Sequence, residues 1–217
     1  MNKNIIKNIY IFLIIISIGI IISSCKNSVS KNESIMNEST SIEKEISVVD
    51  TDISDIVRDA KITLIGDSIA EGAKSSLIHR FKNMHIDSLA GREIETAYDV
   101  FSRLLNYGKI GDIVIVSLGT NAKDVIRTDK LEMIYEKLNG KPMFLLSIVM
   151  PYKGQERNRN RDIKKFVKTH NNCYLIDYHK AMKNHPEYFN EDGVHPNGIG
   201  SEVYAQIIFD AITRFLK

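Results

Sequence analysis

The sequence predicts an α/β fold: a three-layer α/β/α sandwich around a central parallel sheet of five strands. Two observations predict it. Short β-branched apolar runs alternate with longer amphipathic stretches beyond Ala60, and such alternation builds βαβ units with helices on both faces of a sheet. The chain has 217 residues, 43% of them hydrophobic, which is enough for one sizeable core.

The predicted strands and helices follow one another in strict alternation. The strands are predicted at Ile62–Ile65, Ile86–Leu89, Ile113–Leu118, Met143–Val149 and Tyr174–Ile176. The helices are predicted at Glu71–Phe81, Glu93–Tyr107, Leu131–Leu138, Asp162–Thr169 and Glu202–Leu216. In open parallel sheets, sites form beyond the carboxyl ends of the strands, so chemistry is expected in the segments that follow them.

The N-terminus has the composition of an export signal. Lys3 and Lys7 precede an apolar stretch, Ile9–Ile22, which is followed by Ser23-Ser24-Cys25. Ile22 to Cys25 resembles the bacterial lipobox, so residues 1–24 are predicted to be a lipoprotein-type signal peptide and Cys25 the lipidated residue. An uncleaved anchor helix is the alternative. Either way, the rest of the chain is expected outside the cell membrane and tethered to it.

Residues 25–55 are predicted to form a flexible polar tether. This segment is rich in Ser, Asn, Glu, Lys and Thr and has no aromatic residue, so it cannot bury enough apolar surface to offset its ordering entropy. As a coil it would span roughly 30 Å. Residues 56–217 then form the domain, although Ile53–Ala60 could already begin its first helical turn.

The charge balance argues against nucleic acid as a partner. Without Lys3 and Lys7, the 29 basic residues fall to 27 and equal the 27 acidic ones, whereas nucleic-acid binders carry a basic excess. The stretch Lys153–Lys168 is basic, with Arg157, Arg159, Arg161, Lys164 and Lys165. It is interpreted as a solvated helix face, with contact to an anionic wall polymer as the alternative.

The segment Ile62–Ser76 ends its strand at Gly66 and continues with Asp67 and Ser68. Its glycine spacing fits neither a phosphate-binding P-loop nor a dinucleotide-binding turn. It also lacks the second glycine of the G-x-S-x-G elbow. What remains is a serine presented at the end of the first strand, and a serine needs a base in order to act as a nucleophile.

A candidate base lies near the other end of the chain. Asn190–Gly200 is a Gly-, Pro- and Asn-rich loop in which Asp192 and His195 are three residues apart. Gly193 permits a tight turn between them. This loop could therefore supply both the base and the carboxylate that orients it, as in serine triads on unrelated folds.

These segments together resemble the SGNH (GDSL-type) hydrolase family. Gly66-Asp67-Ser68, Gly91, Gly119-Thr120-Asn121 and Asp192-Gly193-Val194-His195 occur in its order and approximate spacing, over most of Lys61–Lys217. The resemblance implies an esterase or acyltransferase whose nucleophile is Ser68, whose base is His195 and whose orienting carboxylate is Asp192. It also implies an oxyanion hole formed by the Ser68 and Gly91 N–H groups and the Asn121 side-chain amide.

One departure refines the resemblance. Ala122 replaces the aspartate that usually follows the asparagine of the third motif. Together with Ala90-Gly91-Arg92 and Met150-Pro151-Tyr152, this is more similar to the extracytoplasmic SGNH domains of surface-glycan O-acetyltransferases than to lipases. Arg92 and Tyr152 become candidate substrate-binding residues on this basis.

The function expected from the sequence is a membrane-tethered serine esterase acting on small O-acyl esters, above all O-acetyl groups, of cell-envelope glycans. No cofactor and no metal are implied, because the histidines show no ligand spacing. The single hydrophobic segment favours hydrolysis, with O-acetyl transfer alongside a membrane acyltransferase partner as the alternative. The sequence also leaves open a lysophospholipase or thioesterase, and an inactive glycan-binding domain. Cys173 is expected to be a small buried hydrophobic residue.

Overall fold

A computed structural model describes residues 53–123 and 125–217. The predictions for the signal segment and for lipidation of Cys25 lie outside these residues, as does nearly all of the predicted tether. Residues 53–55 of that tether are already helical, because a helical segment, α1, covers 53–59 and buries Val57 in the core.

The strands form one five-stranded, all-parallel sheet in the order β2-β1-β3-β4-β5. They are β1 (Ile62–Gly66), β2 (Met84–Ser88), β3 (Ile113–Ser117), β4 (Met143–Leu146) and β5 (Cys173–Ile176). Since β2 and β3 flank β1 on opposite sides, the strand order reverses at β1, and the crevice beyond the β1 and β3 ends is where such sheets place their sites.

Helices cover both faces of the sheet. They are α2 (Ser68–Gly72), α3 (Lys74–Arg80), α4 (Ala97–Asn106), α5 (Thr128–Lys137), α6 (Lys153–Thr169), α7 (Tyr178–Met182) and α8 (Gly198–Leu216), with 3-10 turns at Ile94–Thr96 and Pro186–Tyr188. Within residues 53–123 and 125–217, none of the helices combines the length and apolar character needed to cross a membrane.

The core divides into two clusters, one on each face of the sheet. Alternate residues of a strand point to opposite faces, so Leu64 and Ile115 join one cluster while Ile65 and Val116 join the other. The first cluster includes α3 and α8 residues, and the second includes α4, α5 and α6 residues. The predicted three-layer α/β/α architecture is therefore confirmed.

Several predicted boundaries were wrong, and α6 shows the reason most clearly. The sequence predicted this helix from Asp162, whereas it begins nine residues earlier, at Lys153. Its first half lacks an apolar face, and the polar residues Glu156, Arg159 and Asn160 are buried in its place. Hydrophobic periodicity in the sequence does not reveal such a face.

Candidate active site

The predicted nucleophile occupies the carboxyl end of β1. Ser68 is the first residue of α2, and the side chain of Asp67 caps this helix by accepting a hydrogen bond from the Ile69 N–H at 3.0 Å. A Cβ added at Gly66 would lie 2.3 Å from the Cβ of Ala70. Glycine is therefore required where the strand turns closely into the helix.

The structure brings the three predicted triad residues together, although Ser68 and His195 are 127 positions apart in the chain. His195 Nε2 lies 2.8 Å from Ser68 Oγ, and His195 Nδ1 lies 2.7 Å from Asp192 Oδ2. With Nδ1 protonated towards the carboxylate, Nε2 is left as the acceptor for the serine proton. This is the arrangement of a nucleophile, a base and a group that orients the base.

Asp192 is held in its ionised form. Its Oδ1 accepts hydrogen bonds from the backbone N–H groups of His195 and Val194, both at 2.9 Å. These two bonds and the bond to the His195 ring lower the pKa of Asp192 to about 2. The carboxylate is thus charged wherever His195 can act as a base, and it stabilises the imidazolium that forms on proton transfer.

The loop that carries Asp192 and His195 is closed on itself. The Asn190 N–H donates to the His195 carbonyl at 2.8 Å, and the Gly193 N–H donates to the Asn190 carbonyl at 2.9 Å. Gly193 has φ +64°, a conformation that favours glycine. An antiparallel bridge between Phe189 and Pro196 closes the base of the loop. The base and its carboxylate are therefore fixed locally, before any contact with Ser68.

The predicted oxyanion-hole residues lie at the same edge of the sheet. Gly91 sits in the turn after β2 with φ +74°, and the Arg92 N–H closes this turn onto the Leu89 carbonyl at 3.1 Å. The Leu89 N–H donates to the Gly66 carbonyl, which immediately precedes Asp67 and Ser68. Asn121 follows β3, and its Nδ2 donates to the Arg92 carbonyl at 3.3 Å. The Asn121 amide therefore contacts the residue next to Gly91.

Arg92, a candidate substrate-binding residue, forms a buried ion pair in the structure. Its side chain is only 6% exposed and pairs with Asp87 at 2.6 Å. It also donates to the Gly66 carbonyl at 3.1 Å and to the Asp87 carbonyl. Burial alone would raise the pKa of Asp87, but Arg92 and Arg103 together lower it below its usual value. The guanidinium of Arg92 thus joins β1 to β2 beneath the site, and its role in substrate binding stays a prediction.

Tyr152 lies at the start of α6 and is 67% exposed. This exposure leaves the side chain accessible to a ligand. Its role in substrate binding stays a prediction.

Sequence reasoning missed Arg159, a buried residue of α6 in a stretch predicted to be a solvated face. Arg159 is 2% exposed, and its guanidinium donates to the carbonyls of Gly119 at 3.2 Å, Thr120 at 2.9 Å and Lys123 at 3.5 Å, and also to that of Ala122. These carbonyls belong to the loop that carries Asn121. One arginine therefore fixes the loop in which alanine replaces the usual aspartate.

Two further buried side chains of α6 hold the loop after β4. The Asn160 amide bonds both to the N–H and to the carbonyl of Ile148, each at 2.8 Å. Glu156 accepts a hydrogen bond from the Met150 N–H at 2.8 Å. Glu156, Asn160 and Ile163 are separated by four and three positions, so they continue one buried face of the helix. This helical spacing of Glu156, Asn160 and Ile163 was the signal in the sequence that could have indicated the buried polar face.

Asp67 is a buried carboxyl beside the nucleophile. Burial raises the pKa of Asp67 to about 6, opposed by the hydrogen bond from the Ile69 N–H and by the charge of His195. The residue is 1% exposed. An ionised Asp67 lies on the same side as the triad and favours the positive charge that His195 acquires in the reaction.

The remaining candidate groups are structural. Burial raises the pKa of the Cys173 thiol to about 12, so this cysteine is a buried hydrophobic residue, as expected. Within residues 53–123 and 125–217, no group of three or more His, Cys, Asp or Glu side chains is arranged to hold a metal ion.

Comparison with known proteins finds relatives of the chain among O-acetyltransferases. No protein-family profile matches the chain. Over 146 residues, 67% of this chain, it is 32% identical to O-acetyltransferase OatA of Staphylococcus aureus strain NCTC 8325. Its fold is that of the SGNH (GDSL-type) hydrolases, with a TM-score of 0.56 to a GDSL-like lipase of Bacteroides thetaiotaomicron. The chain spans only 24% of the length of OatA, so the similarity concerns one domain of a larger protein.

Solved structures share the fold of this domain. The C-terminal catalytic domain of Streptococcus pneumoniae peptidoglycan O-acetyltransferase A, solved with a methylsulfonyl adduct, superimposes with a TM-score of 0.64 at 20% identity, covering 72% of this chain and 94% of that one. A family 3 carbohydrate esterase of Clostridium thermocellum superimposes with a TM-score of 0.57 at 18% identity, covering 73% of this chain and 98% of that one.

Proposed function

We propose that this SGNH domain is a serine esterase that removes small O-acyl groups, above all O-acetyl groups, from cell-envelope glycans. The observation that carries the proposal is the continuous hydrogen-bonded relay from Ser68 Oγ through the His195 ring to Asp192. A serine hydroxyl in such a relay is activated for attack on an ester carbonyl. The likeness to proteins named O-acetyltransferase supports the choice of acyl group.

The first half of the reaction forms an acyl-enzyme. Ser68 Oγ attacks the ester carbonyl carbon while His195 Nε2 takes the serine proton, and Asp192 stabilises the resulting imidazolium. The negative charge on the carbonyl oxygen is stabilised by the Ser68 and Gly91 N–H groups and the Asn121 amide. When the tetrahedral intermediate collapses, the bond to the sugar oxygen breaks and His195 returns the proton to that oxygen.

The second half releases the acyl group. A water molecule gives a proton to His195 and attacks the acyl carbonyl, and acetate leaves while the proton returns to Ser68. If a sugar hydroxyl takes the place of this water, the same steps give O-acetyl transfer. Transfer is the second candidate because of the similarity to proteins named O-acetyltransferase. Such transfer would draw on a membrane acyltransferase partner.

We also propose that the domain acts outside the cell membrane, held there by a lipid on Cys25. This proposal rests on the sequence of the first 25 residues. It predicts that Cys25→Ala leaves an uncleaved precursor, and normal maturation of that variant would refute it.

The enzymatic proposal is tested with p-nitrophenyl acetate and with acetylated wall polymer, comparing the wild type with Ser68→Ala. We expect the variant to lose at least about 10³-fold in kcat because both acyl-enzyme steps disappear. Acetate release and acetyl transfer are followed in the same reaction, which separates esterase from transferase. Equal, slow rates for the two proteins on both substrates would instead support a glycan-binding domain. A rate that rises with acyl chain length would support a lysophospholipase or thioesterase.

A further inference from the structure

The exposed side of α6 carries a stripe of positive charge. Its members recur every three or four residues, with one adjacent pair, and therefore lie on one face of the helix. This basic stripe consists of Lys153, Arg157, Arg161, Lys164, Lys165 and Lys168. At 1.5 Å per residue it extends over about 22 Å. It lies on the side of α6 away from the core.

Local acidic groups neutralise only part of the stripe. Lys153 pairs with Glu156 at 3.5 Å, Arg161 with Asp162 at 3.1 Å and Lys164 with Asp177 at 3.4 Å. In the part of the chain that the structure describes, the other three members, Arg157, Lys165 and Lys168, have no acidic partner. In a mature chain with equal formal charges, this is a concentrated positive surface.

The basic stripe ends close to the active-site loop, the segment Asn190–His195 that carries Asp192 and His195. Beside that loop lies a cleft of about 420 Å³ whose walls include Lys153, Lys183, Met150, Phe189, Asn190 and Gly193. One acidic residue, Glu191, also lines it. Gly193 lies between Asp192 and His195 in the sequence, and Lys153 is the end of the basic stripe. A ligand lying along α6 would therefore pass into a cleft that contains two lysines and lies beside the loop of Asp192 and His195.

We propose that the basic stripe and the cleft bind an extended polyanionic glycan, so that the substrate is an O-acylated polymer with repeating negative charges. This inference rests on the proposed function and adds the substrate class. The charged repeats lie along α6 while one acyl-bearing unit enters the cleft beside the loop that carries Asp192 and His195. Multiple weak contacts of this kind steer and retain a charged polymer without changing the chemistry at the serine.

The chemistry of the surface favours a soluble polymer over a lipid bilayer. Membrane-surface helices combine basic residues with large apolar side chains that enter the bilayer. Among the residues that the structure describes, no large exposed hydrophobic side chain lies within Lys153–Thr169. Charge is complementary to a polyanion, whereas the apolar component of a membrane site is missing from this helix.

The test protein lacks the three stripe charges that have no acidic partner. It is compared with a control protein that lacks three matched charges outside the stripe. The test protein carries Arg157→Gln, Lys165→Gln and Lys168→Gln. The control carries Lys109→Gln, Lys137→Gln and Arg214→Gln, one arginine and two lysines near the amino-terminal edge of the sheet. Substrates are O-acetylated polygalacturonate, which is anionic, O-acetylated xylan, which is neutral, and p-nitrophenyl acetate.

We expect the test protein to lose about tenfold in kcat/KM on acetylated polygalacturonate at low ionic strength, mostly through KM. The loss should shrink at about 0.3 M salt because the charges are exposed and screened. Rates on acetylated xylan and p-nitrophenyl acetate should not change. The control should behave as the wild type on all three substrates.

The inference is overturned if the test protein and the control are equally active on the anionic polymer. It is also overturned if kcat/KM of the test protein falls as much on the neutral polymer as on the anionic one. It is also overturned if the substitutions abolish binding to phosphatidylglycerol vesicles but leave the polymer kinetics unchanged, which would indicate a membrane surface. Retention on unacetylated polygalacturonate measures binding without turnover. If the protein is retained on the polymer but shows no Ser68-dependent esterase activity, the proposed function is contradicted while the polymer site stands.

Discussion

Arg159→Lys should loosen the loop that carries Asn121 and thereby slow catalysis from a distance. Arg159 lies on α6, is 2% exposed, and donates to four consecutive or near-consecutive carbonyls of residues 119–123. Lysine keeps the charge but replaces a planar fork of five donors with one ammonium group. It cannot reach the same set of carbonyls in one geometry.

The expected magnitude follows from those bonds. If two of the four carbonyls lose their donor, each costs about 1–3 kcal/mol as a buried unpaired group, so the free energy of unfolding should fall by about 2–6 kcal/mol. Removal of a whole oxyanion donor typically lowers kcat by about 10²–10³-fold. A displaced Asn121 amide retains part of its effect, and we expect kcat to fall by about tenfold to a hundredfold with little change in KM.

A double-mutant cycle with Asn121→Ala tests the reasoning. Urea unfolding gives the stability of each variant, and initial rates on p-nitrophenyl acetate give kcat and KM. If Arg159 acts on catalysis through Asn121, Arg159→Lys should cost almost nothing further in kcat once the asparagine amide is gone. Losses in kcat that simply multiply would refute this reasoning, as would an Arg159→Lys enzyme with wild-type kcat and reduced stability.

Three further changes test other parts of the site. Asp192→Asn should lower kcat by about 10³–10⁴-fold and leave the circular dichroism spectrum unchanged, because the amide oxygen can still accept the loop N–H groups. Asp67 holds a proton in the folded state to about pH 6, above the range of an unfolded aspartate, so its burial makes stability fall as pH rises from about 4 to about 6. Asp67→Asn should therefore add up to about 3 kcal/mol at pH 7 and little at pH 4 in urea unfolding, and an unchanged pH dependence would contradict this. Gly66→Ala should destabilise by about 1–3 kcal/mol in thermal unfolding through the clash with Ala70, whereas Gly72→Ala, where an added Cβ meets nothing within 4 Å, should not.

The fold could be predicted from local pattern because most strands are short continuous apolar runs and most helices repeat their apolar residues at a helical period. The runs at Ile62–Ile65 and Ile113–Leu118 carry enough consecutive buried residues to be recognised without any partner. The early start of α6 could not be recognised in this way. Its buried face is polar there, and polar residues at helical spacing become core residues only when backbone groups of other loops receive their hydrogen bonds.

The same distinction applies to the candidate site: some of its residues could be recognised from the sequence and others could not. Ser68, Asp192 and His195 were found because short motifs of turn glycines and polar residues persist in the sequence, and the Asp192–His195 contact spans only three residues. The sequence thus determined which groups are present and which strand ends carry them. The burial of Arg92 was not foreseen and Arg159 was missed, because their contacts depend on which carbonyl oxygens face them, Gly66 for the first and Gly119 to Lys123 for the second. Those positions are set by packing between elements distant in the chain, so only the tertiary structure decided them.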